Sequence, residues 1–374
     1  MPDIPAVETA SAAAQVRACP APAAAGPLAG IACCQDLPER EGLGPPLEEE
    51  YPPGHLLDGR FVIREAIGRS AMATIYRAED REAGGSSVAV KVPLARVESD
   101  PALFGRFQRE ERIVSSLASP GLLRFIPAAR EKSRPYFVTE YLDGCTLALV
   151  IHRSRPIPER DALRIAGALC RALAPMHESG IVHCDLKPAN VMICRGGTLC
   201  VMDFGLASEI GSGGALLAGL TPLFGTPEYM APEQVRNRRC DARTDIYCAG
   251  VILYQMLTGV LPFVHEDPWA AAQLRVTGDP VAPRSLNPAV SPQAEEIVLR
   301  AMRREPGERH QTAAELKGDL DAPERVQVTG LSEHLKAPRW RLSLQGTPFL
   351  AGALIGVGTL LFLVCLFLLL MHRR

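Results

Sequence analysis

The sequence predicts an α+β fold of two lobes, a small β-rich one followed by a larger helical one, with a single C-terminal transmembrane helix. Three observations predict it. Short β-branched runs separated by turn residues occupy the stretch from Phe61 to Leu142, and after Asp143-Gly144 the apolar spacing becomes helical. Strands that give way to helices within one chain are the pattern of an α+β unit. Residues 349–371 are almost wholly apolar and carry no charged side chain, and about 20 such residues cross a bilayer core.

Residues 1–50 are dominated by Ala, Pro and Gly and close on Glu48-Glu49-Glu50, so they are predicted to be a disordered tail. No basic start precedes an apolar run there, which argues against a signal peptide. Cys33-Cys34 reads as an exposed cysteine pair, with lipidation or redox as alternatives. The folded unit is expected over 51–322, its first lobe ending near 142. Within it, Phe61-Val62-Ile63, Ala73 to Tyr76, Val88-Ala89-Val90 and Tyr136 to Leu142 read as strands. A helix is predicted from Ala102 to Leu117, with Phe104, Phe107, Ile113, Val114 and Leu117 as its apolar set and Pro120-Gly121 as its stop. The second lobe carries helical patterns at about 159–179, 231–236, 242–258, 268–274, 291–303 and 312–320.

Residues 323–348 are expected to link this unit to the membrane segment at 349–371, followed by the basic tail 372–374. Gly352 and Gly356 form a small-xxx-small pair that suits association of two such helices, so a homodimer is one expectation.

A net charge of −2 gives no electrostatic case for nucleic acid, and none is expected as a partner. The 11 cysteines show no paired CxxC spacing, which argues against zinc and for reduced thiols in a cytosolic domain.

The chemistry concentrates in His183-Cys184-Asp185-Leu186-Lys187-Pro188-Ala189-Asn190 and Asp203-Phe204-Gly205. Together they supply a base, a lysine and two metal-ligand side chains, the inventory of a phosphoryl-transfer site. With these motifs in order, residues 61 to about 320 resemble a eukaryotic-type (Hanks-type) Ser/Thr protein kinase domain of the kind found in bacteria, and imply its bilobal fold.

The resemblance implies a role for each matching residue. Lys91, at the end of Val88-Ala89-Val90-Lys91, would hold the α- and β-phosphates of ATP, oriented by Glu110. Asp185 would take the proton of the substrate hydroxyl, and Lys187 would neutralise charge on the transferring group. Asn190 and Asp203 would bind Mg2+, with Mn2+ as an alternative ion. Thr226 in Gly225-Thr226-Pro227-Glu228 would contact Asp185 and Lys187. The phosphate-covering loop follows Ile67 and runs Gly68-Arg69-Ser70-Ala71-Met72-Ala73-Thr74-Ile75; of the family's glycines only Gly68 is kept, and positive φ becomes costly at Ser70 and Ala73. Thr139 would line the back of the nucleotide pocket, the backbone of Glu140 and Leu142 would bind adenine, and Ala89 and Met192 would sandwich it.

Four further matches are structural in kind. Glu233 and Arg309 resemble a buried ion pair. Asp245 resembles a brace of the catalytic loop. Val114, Phe125, His183 and Phe204 resemble an apolar stack joining the lobes. Cys184 departs from the family, since most members carry arginine there to pair with a phosphorylated activation segment, and a thiol cannot supply that contact. An enzyme needing no activating phosphate is one reading; altered activation and a redox-sensitive thiol are the others. Ser208, Ser212 and Thr221 are the hydroxyl acceptors between Gly205 and Gly225.

The resemblance and the apolar segment together imply a single-pass, tail-anchored kinase of the inner (plasma) membrane, its kinase domain cytoplasmic. It would use ATP to phosphorylate Ser/Thr residues of protein substrates in bacterial signalling and be capable of autophosphorylation. The alternative is a pseudokinase scaffold that recruits partners to the bilayer.

Overall fold

The computed structural model describes residues 26, 28, 50–128, 131–209 and 227–336. The predicted membrane segment 349–371, its basic tail, the linker from 337 onward, Ser212, Thr221 and Thr226 lie outside the described residues. Among the described residues no helix is long and apolar enough to cross a membrane.

The small lobe is built on strands β1 (Leu56–Leu57), β2 (Phe61–Arg69), β3 (Ala73–Asp80), β4 (Ser86–Pro93), β5 (Phe125–Ile126) and β6 (Phe137–Glu140). They form one six-stranded sheet in the order β1-β2-β3-β4-β6-β5, each neighbouring pair antiparallel. Alternation sets the buried face: Phe61 and Ile63 on β2, Tyr76 and Ala78 on β3, Val88, Val90 and Val92 on β4 all join one apolar cluster. The strands run longer than their β-branched centres, because pairing carries β2 past Glu65 to Arg69 opposite Thr74.

A short helix α1 (Ala95–Glu98) and the longer α2 (Pro101–Ser116) follow β4. The α2 start is fixed by Asp100, whose carboxylate accepts from the N–H groups of Ala102 (2.8 Å) and Leu103 (3.1 Å), with Pro101 just inside. Phe107, Glu110, Ile113 and Val114 make up its buried face. Glu110 is the exception in an apolar stripe, and a buried carboxylate needs a cation.

The large lobe contains β7 (Gly144–Thr146), α3 (Leu147–Arg153), α4 (Glu159–Glu178), β8 (Ile181–Val182), β9 (Val191–Cys194), β10 (Leu199–Val201) and β11 (Ser208–Glu209). It continues through α5 (Pro232–Val235), α6 (Ala242–Thr258), α7 (Pro268–Thr277), α8 (Pro283–Leu286), α9 (Pro292–Ala301) and α10 (Ala313–Asp321). Helix α6 is the axis. Every residue from Thr244 to Leu253 is buried, and α4 and α9 pack against it. Each large aliphatic side chain so buried contributes roughly 1.5–3 kcal/mol. Asp241 caps its start, and Gly259 ends it at φ 76°.

The short strands β7 to β11 are absent from the sequence reading, since strands this short carry no measurable period. Strands β7, β9 and β10 form a small antiparallel sheet in the order β10-β9-β7. Gly144 allows the approach of β7 to β9: a Cβ there would lie 2.2 Å from Ile193 O and 2.7 Å from Cys194 Cα. We expect Gly144→Ala to destabilise the fold by about 1–3 kcal/mol, read as a lower urea midpoint. An unchanged midpoint would contradict the contact.

The buried ion pair is assembled. Arg309, with its side chain fully buried, places Nη1 2.8 Å from Glu233 Oε1 and Nη2 2.7 Å from Oε2. Of residues 1–50, Gly26, Leu28 and Glu50 are described: Leu28 is 2% exposed within the large-lobe cluster, and Glu50 pairs with Arg69.

Candidate active site

A cavity of about 630 Å³ lies between the lobes. Ile67, Ser70, Ile75, Ala89 and Lys91 line it from the β2–β4 side, and Thr139, Glu140 and Leu142 from the end of β6 and the segment that follows it. Asn190, Met192 and Asp203 close it from the large lobe. Gly68 and Arg69 fall outside the lining; the Arg69 guanidinium instead bonds the Glu50 carboxylate. Asp185 and Lys187 also lie outside the lining and connect to it through Asn190.

Lys91 sits on β4 and Glu110 on α2, and the two meet at 2.5 Å between Nζ and Oε1. Asp203 Oδ1 is 3.9 Å from the same ammonium. Burial works against the charged lysine, but Glu110 and Asp203 outweigh it and raise the Lys91 pKa above its ordinary value. A lysine paired this way holds a fixed position instead of swinging to solvent.

The segment carrying Asp185 is fixed from below. Asp245, fully buried on α6, accepts from the N–H groups of His183 (2.8 Å) and Cys184 (3.0 Å), and His177 Nε2 lies 2.8 Å from it. His183 Nε2 donates to the Met202 carbonyl at 3.0 Å, and its Nδ1 accepts from Asp185 N–H at 3.3 Å. Those partners define a neutral imidazole protonated on Nε2. His183 also packs its ring 5.3 Å from that of Phe204; Val114 shares their core and Phe125 packs against it, completing the predicted stack.

Asp185 Oδ2 receives Lys187 Nζ at 2.8 Å and Asn190 Nδ2 at 3.2 Å. Burial raises the Asp185 carboxyl above the ordinary aspartate range, and the Lys187 charge offsets this only in part. Burial also pushes Asp203 up, yet the charges of Lys91 and Lys187, with the N–H of Gly205, hold it below that range. The two carboxylates therefore titrate apart: Asp203 stays ionised where Asp185 begins to take a proton.

Asn190 spends its Nδ2 on the Asp185 carbonyl at 2.9 Å, which turns its Oδ1 to the other side of the amide. Among the described residues no group of three or more His, Cys, Asp or Glu gathers to hold a metal. Two hard oxygens, from Asn190 and an ionised Asp203, instead fit Mg2+, which keeps waters and takes much of its coordination from phosphates.

The turn between β2 and β3 departs from a glycine-built loop in a definite way. Ser70 Oγ accepts from the N–H of Met72 (3.2 Å) and of Ala73 (3.0 Å) and donates to Ala73 O (3.1 Å). The hydroxyl closes the turn that glycines would otherwise shape, and it occupies two backbone donors.

Cys184 adopts a left-handed backbone at φ 62°, as does Asp203; such a conformation costs roughly 1–2 kcal/mol in a residue with a Cβ. The hydrogen bond to Cys240, then burial, push the Cys184 thiol well up. A thiol held protonated is a poor nucleophile, which weighs against the redox reading. Its carbonyl accepts from Gln234 Nε2 at 2.6 Å, while Gln234 Oε1 accepts from Ala231 N–H at 2.9 Å. Gln234 thus ties the catalytic segment to the start of α5, a bridge for which the sequence carries no signal. Phe137, Leu149, Ala189 and Met202 also line the cavity, and the sequence reading gives none of them a site role. Met202 was accessible there, as the neighbour of Asp203.

Residues 61–319 match the family described as protein kinase domain. The chain is 36% identical over 299 residues to the serine/threonine-protein kinase PknB of Mycolicibacterium smegmatis, covering 76% of this chain and 48% of the relative. It is 37% identical over 270 residues to the probable serine/threonine-protein kinase SCO3848 of Streptomyces coelicolor, covering 71% and 40%. A probable serine/threonine-protein kinase of Clostridium perfringens, CPE1738, is 30% identical over 268 residues, covering 72% and 39%. The chain therefore spans less than half the length of each of these relatives. On the family match, the identities and the bilobal architecture, the chain belongs to the protein kinase family, and its residues 61–319 form a kinase domain of the serine/threonine type.

Proposed function

We propose that the protein transfers the γ-phosphoryl group of ATP to Ser/Thr hydroxyls of protein substrates, in line and without a covalent enzyme intermediate. The observation that carries this reading is the joined set of Lys91, Glu110 and Asp203 across the cleft, with Asp185, Lys187 and Asn190 bonded to one another beside it. A scaffold that only recruits partners has no use for all six. Lys91 binds the α- and β-phosphates. Asp185 accepts or orients the hydroxyl proton, and Lys187 neutralises charge at the transferring group. Asn190 and Asp203 hold Mg2+, which when bound neutralises phosphate charge. Ala89 and Met192 hold adenine between them. Residues 349–371 anchor the domain to the inner membrane, where autophosphorylation and helix pairing through Gly352 and Gly356 are supported by the sequence alone.

The test is transfer from labelled ATP to a generic basic protein with Mg2+, beside Lys91→Ala. Nucleotide bound with no transfer above that control would hand the chain to the scaffold reading. The pH profile adds a sharper expectation. The raised Asp185 pKa means the proton-accepting carboxylate is lost, on acidification, at a higher pH than for a solvated aspartate. The acid limb of kcat/KM is therefore expected above the ordinary carboxylate range. Lys187→Met removes a lowering charge and moves that limb further up. A limb that stays fixed in Lys187→Met would take Asp185 out of this role.

A further inference from the structure

The turn between β9 and β10 carries an unexpected guest. Gly26 N–H donates to Gly196 O at 2.8 Å, and Leu28 N–H donates to Gly197 O at 2.9 Å. Leu28 is 2% exposed and belongs to the cluster that includes Leu122, Leu173, Ile193 and Leu199. At Gly26 the fit excludes any side chain: a Cβ would lie 2.5 Å from Gly197 O and 2.8 Å from Gly196 O.

The place of this contact gives it leverage. Strand β9 begins at Val191, between Asn190 and Met192, and β10 ends at Val201, next to Met202 and Asp203. The register Cys200↔Met192 and Val201↔Val191 makes the hairpin a single lever with the ion and adenine contacts at its cleft end. Its other end is the turn that the tail grips. The same turn is tied to the segment joining the lobes, because Arg195 N–H donates to Asp143 O and Arg195 Nε to Asp143 Oδ1, each at 2.9 Å.

We propose that Gly26 and Leu28 are an intramolecular docking element: this segment of the chain seats in a socket on the β9–β10 turn and clamps the hairpin that positions Asn190, Met192 and Asp203. Two backbone hydrogen bonds and one buried leucine are a modest contact, so the segment is releasable. Because the contact is intramolecular, its effective concentration is on the order of millimolar, which keeps it seated in cis. The consequence for nucleotide rests on the phosphoryl-transfer reading; the docking itself does not.

The experiment uses the full-length chain in detergent and the variant Gly26→Val, which blocks seating from a residue outside the catalytic machinery. Backbone amides of β9 and β10 are expected to exchange hydrogen roughly tenfold faster or more in Gly26→Val. A synthetic peptide of residues 22–32 is expected to bind Gly26→Val, restore slow exchange in the hairpin, and leave the wild-type chain, whose socket is filled, unaffected. The affinity for an ATP analogue should fall severalfold in the variant and recover with peptide. Equal hairpin exchange in the two chains, or no effect of the peptide on Gly26→Val, overturns the docking proposal. Loss of nucleotide binding in both chains would instead count against the phosphoryl-transfer reading, leaving exchange and peptide binding to decide the docking.

Discussion

Asp185→Asn is expected to lower phosphoryl transfer by about 10²–10⁴-fold while nucleotide affinity stays near that of the unmodified chain. The two halves of this expectation come from one geometry. Asp185 lies outside the lining of the cleft cavity, so its removal takes nothing from the nucleotide. It does remove the carboxylate that Lys187 and Asn190 both address, at 2.8 and 3.2 Å. Asparagine keeps the size and one oxygen, so the fold is preserved and only the proton acceptor is lost. Lys91→Ala should separate from it. That variant removes the cation paired with Glu110 and close to Asp203, and so weakens nucleotide binding and transfer together. The measurement is a pair of titrations, one of analogue binding and one of transfer rate, on each variant. Asp185→Asn with transfer within a few-fold of wild type would refute the assignment.

Arg309→Ala is expected to cost about 3–5 kcal/mol of stability, the largest effect of any single change considered for this fold. Every N–H of the guanidinium is engaged: two with the Glu233 carboxylate, and one each with the carbonyls of Arg303, Arg243 and Arg304 at 2.7 to 3.0 Å. Truncation leaves Glu233 buried with Thr244 Oγ1 at 2.8 Å and no cation, and removes a donor from each of three carbonyls. Glu233→Gln is the milder partner variant, because an amide can still accept one of the arginine hydrogen bonds. The order expected in urea midpoints is wild type, then Glu233→Gln, then Arg309→Ala. A midpoint for Arg309→Ala within 1 kcal/mol of wild type would mean that the pair contributes only to specificity.

The two-lobed architecture was legible in the sequence because it rests on long features. Helix α6 at Ala242–Thr258 and α4 at Glu159–Glu178 show enough turns for an apolar period to stand out, and the first-lobe strands each have a β-branched centre. The site residues were legible for another reason: each is a chemically distinctive side chain in a short string, and the structure brings Lys91, Glu110 and Asp203 together from three separate elements. What escaped was carried by backbone and by close approach. Strands β7 to β11 are too short for a period, and Gly144 shows its purpose only once β9 lies against it. Ser70 reads as a lost glycine until its hydroxyl is seen closing the turn. Leu28 reads as one apolar residue in a low-complexity tail, and nothing local announces a socket more than 150 residues away in sequence.

Asp245 makes the catalytic loop a reporter for the whole large lobe. The amide hydrogens of His183 and Cys184 end on a carboxylate with no exposure, mounted on the helix at the centre of the core. Local fraying of the loop cannot free them without leaving that charge unsolvated. Their exchange with solvent deuterium should follow global opening, among the slowest in the domain. Read over temperature, the clock set by those two amides measures the free energy of unfolding, and loss of activity on heating should track it with no partly active intermediate.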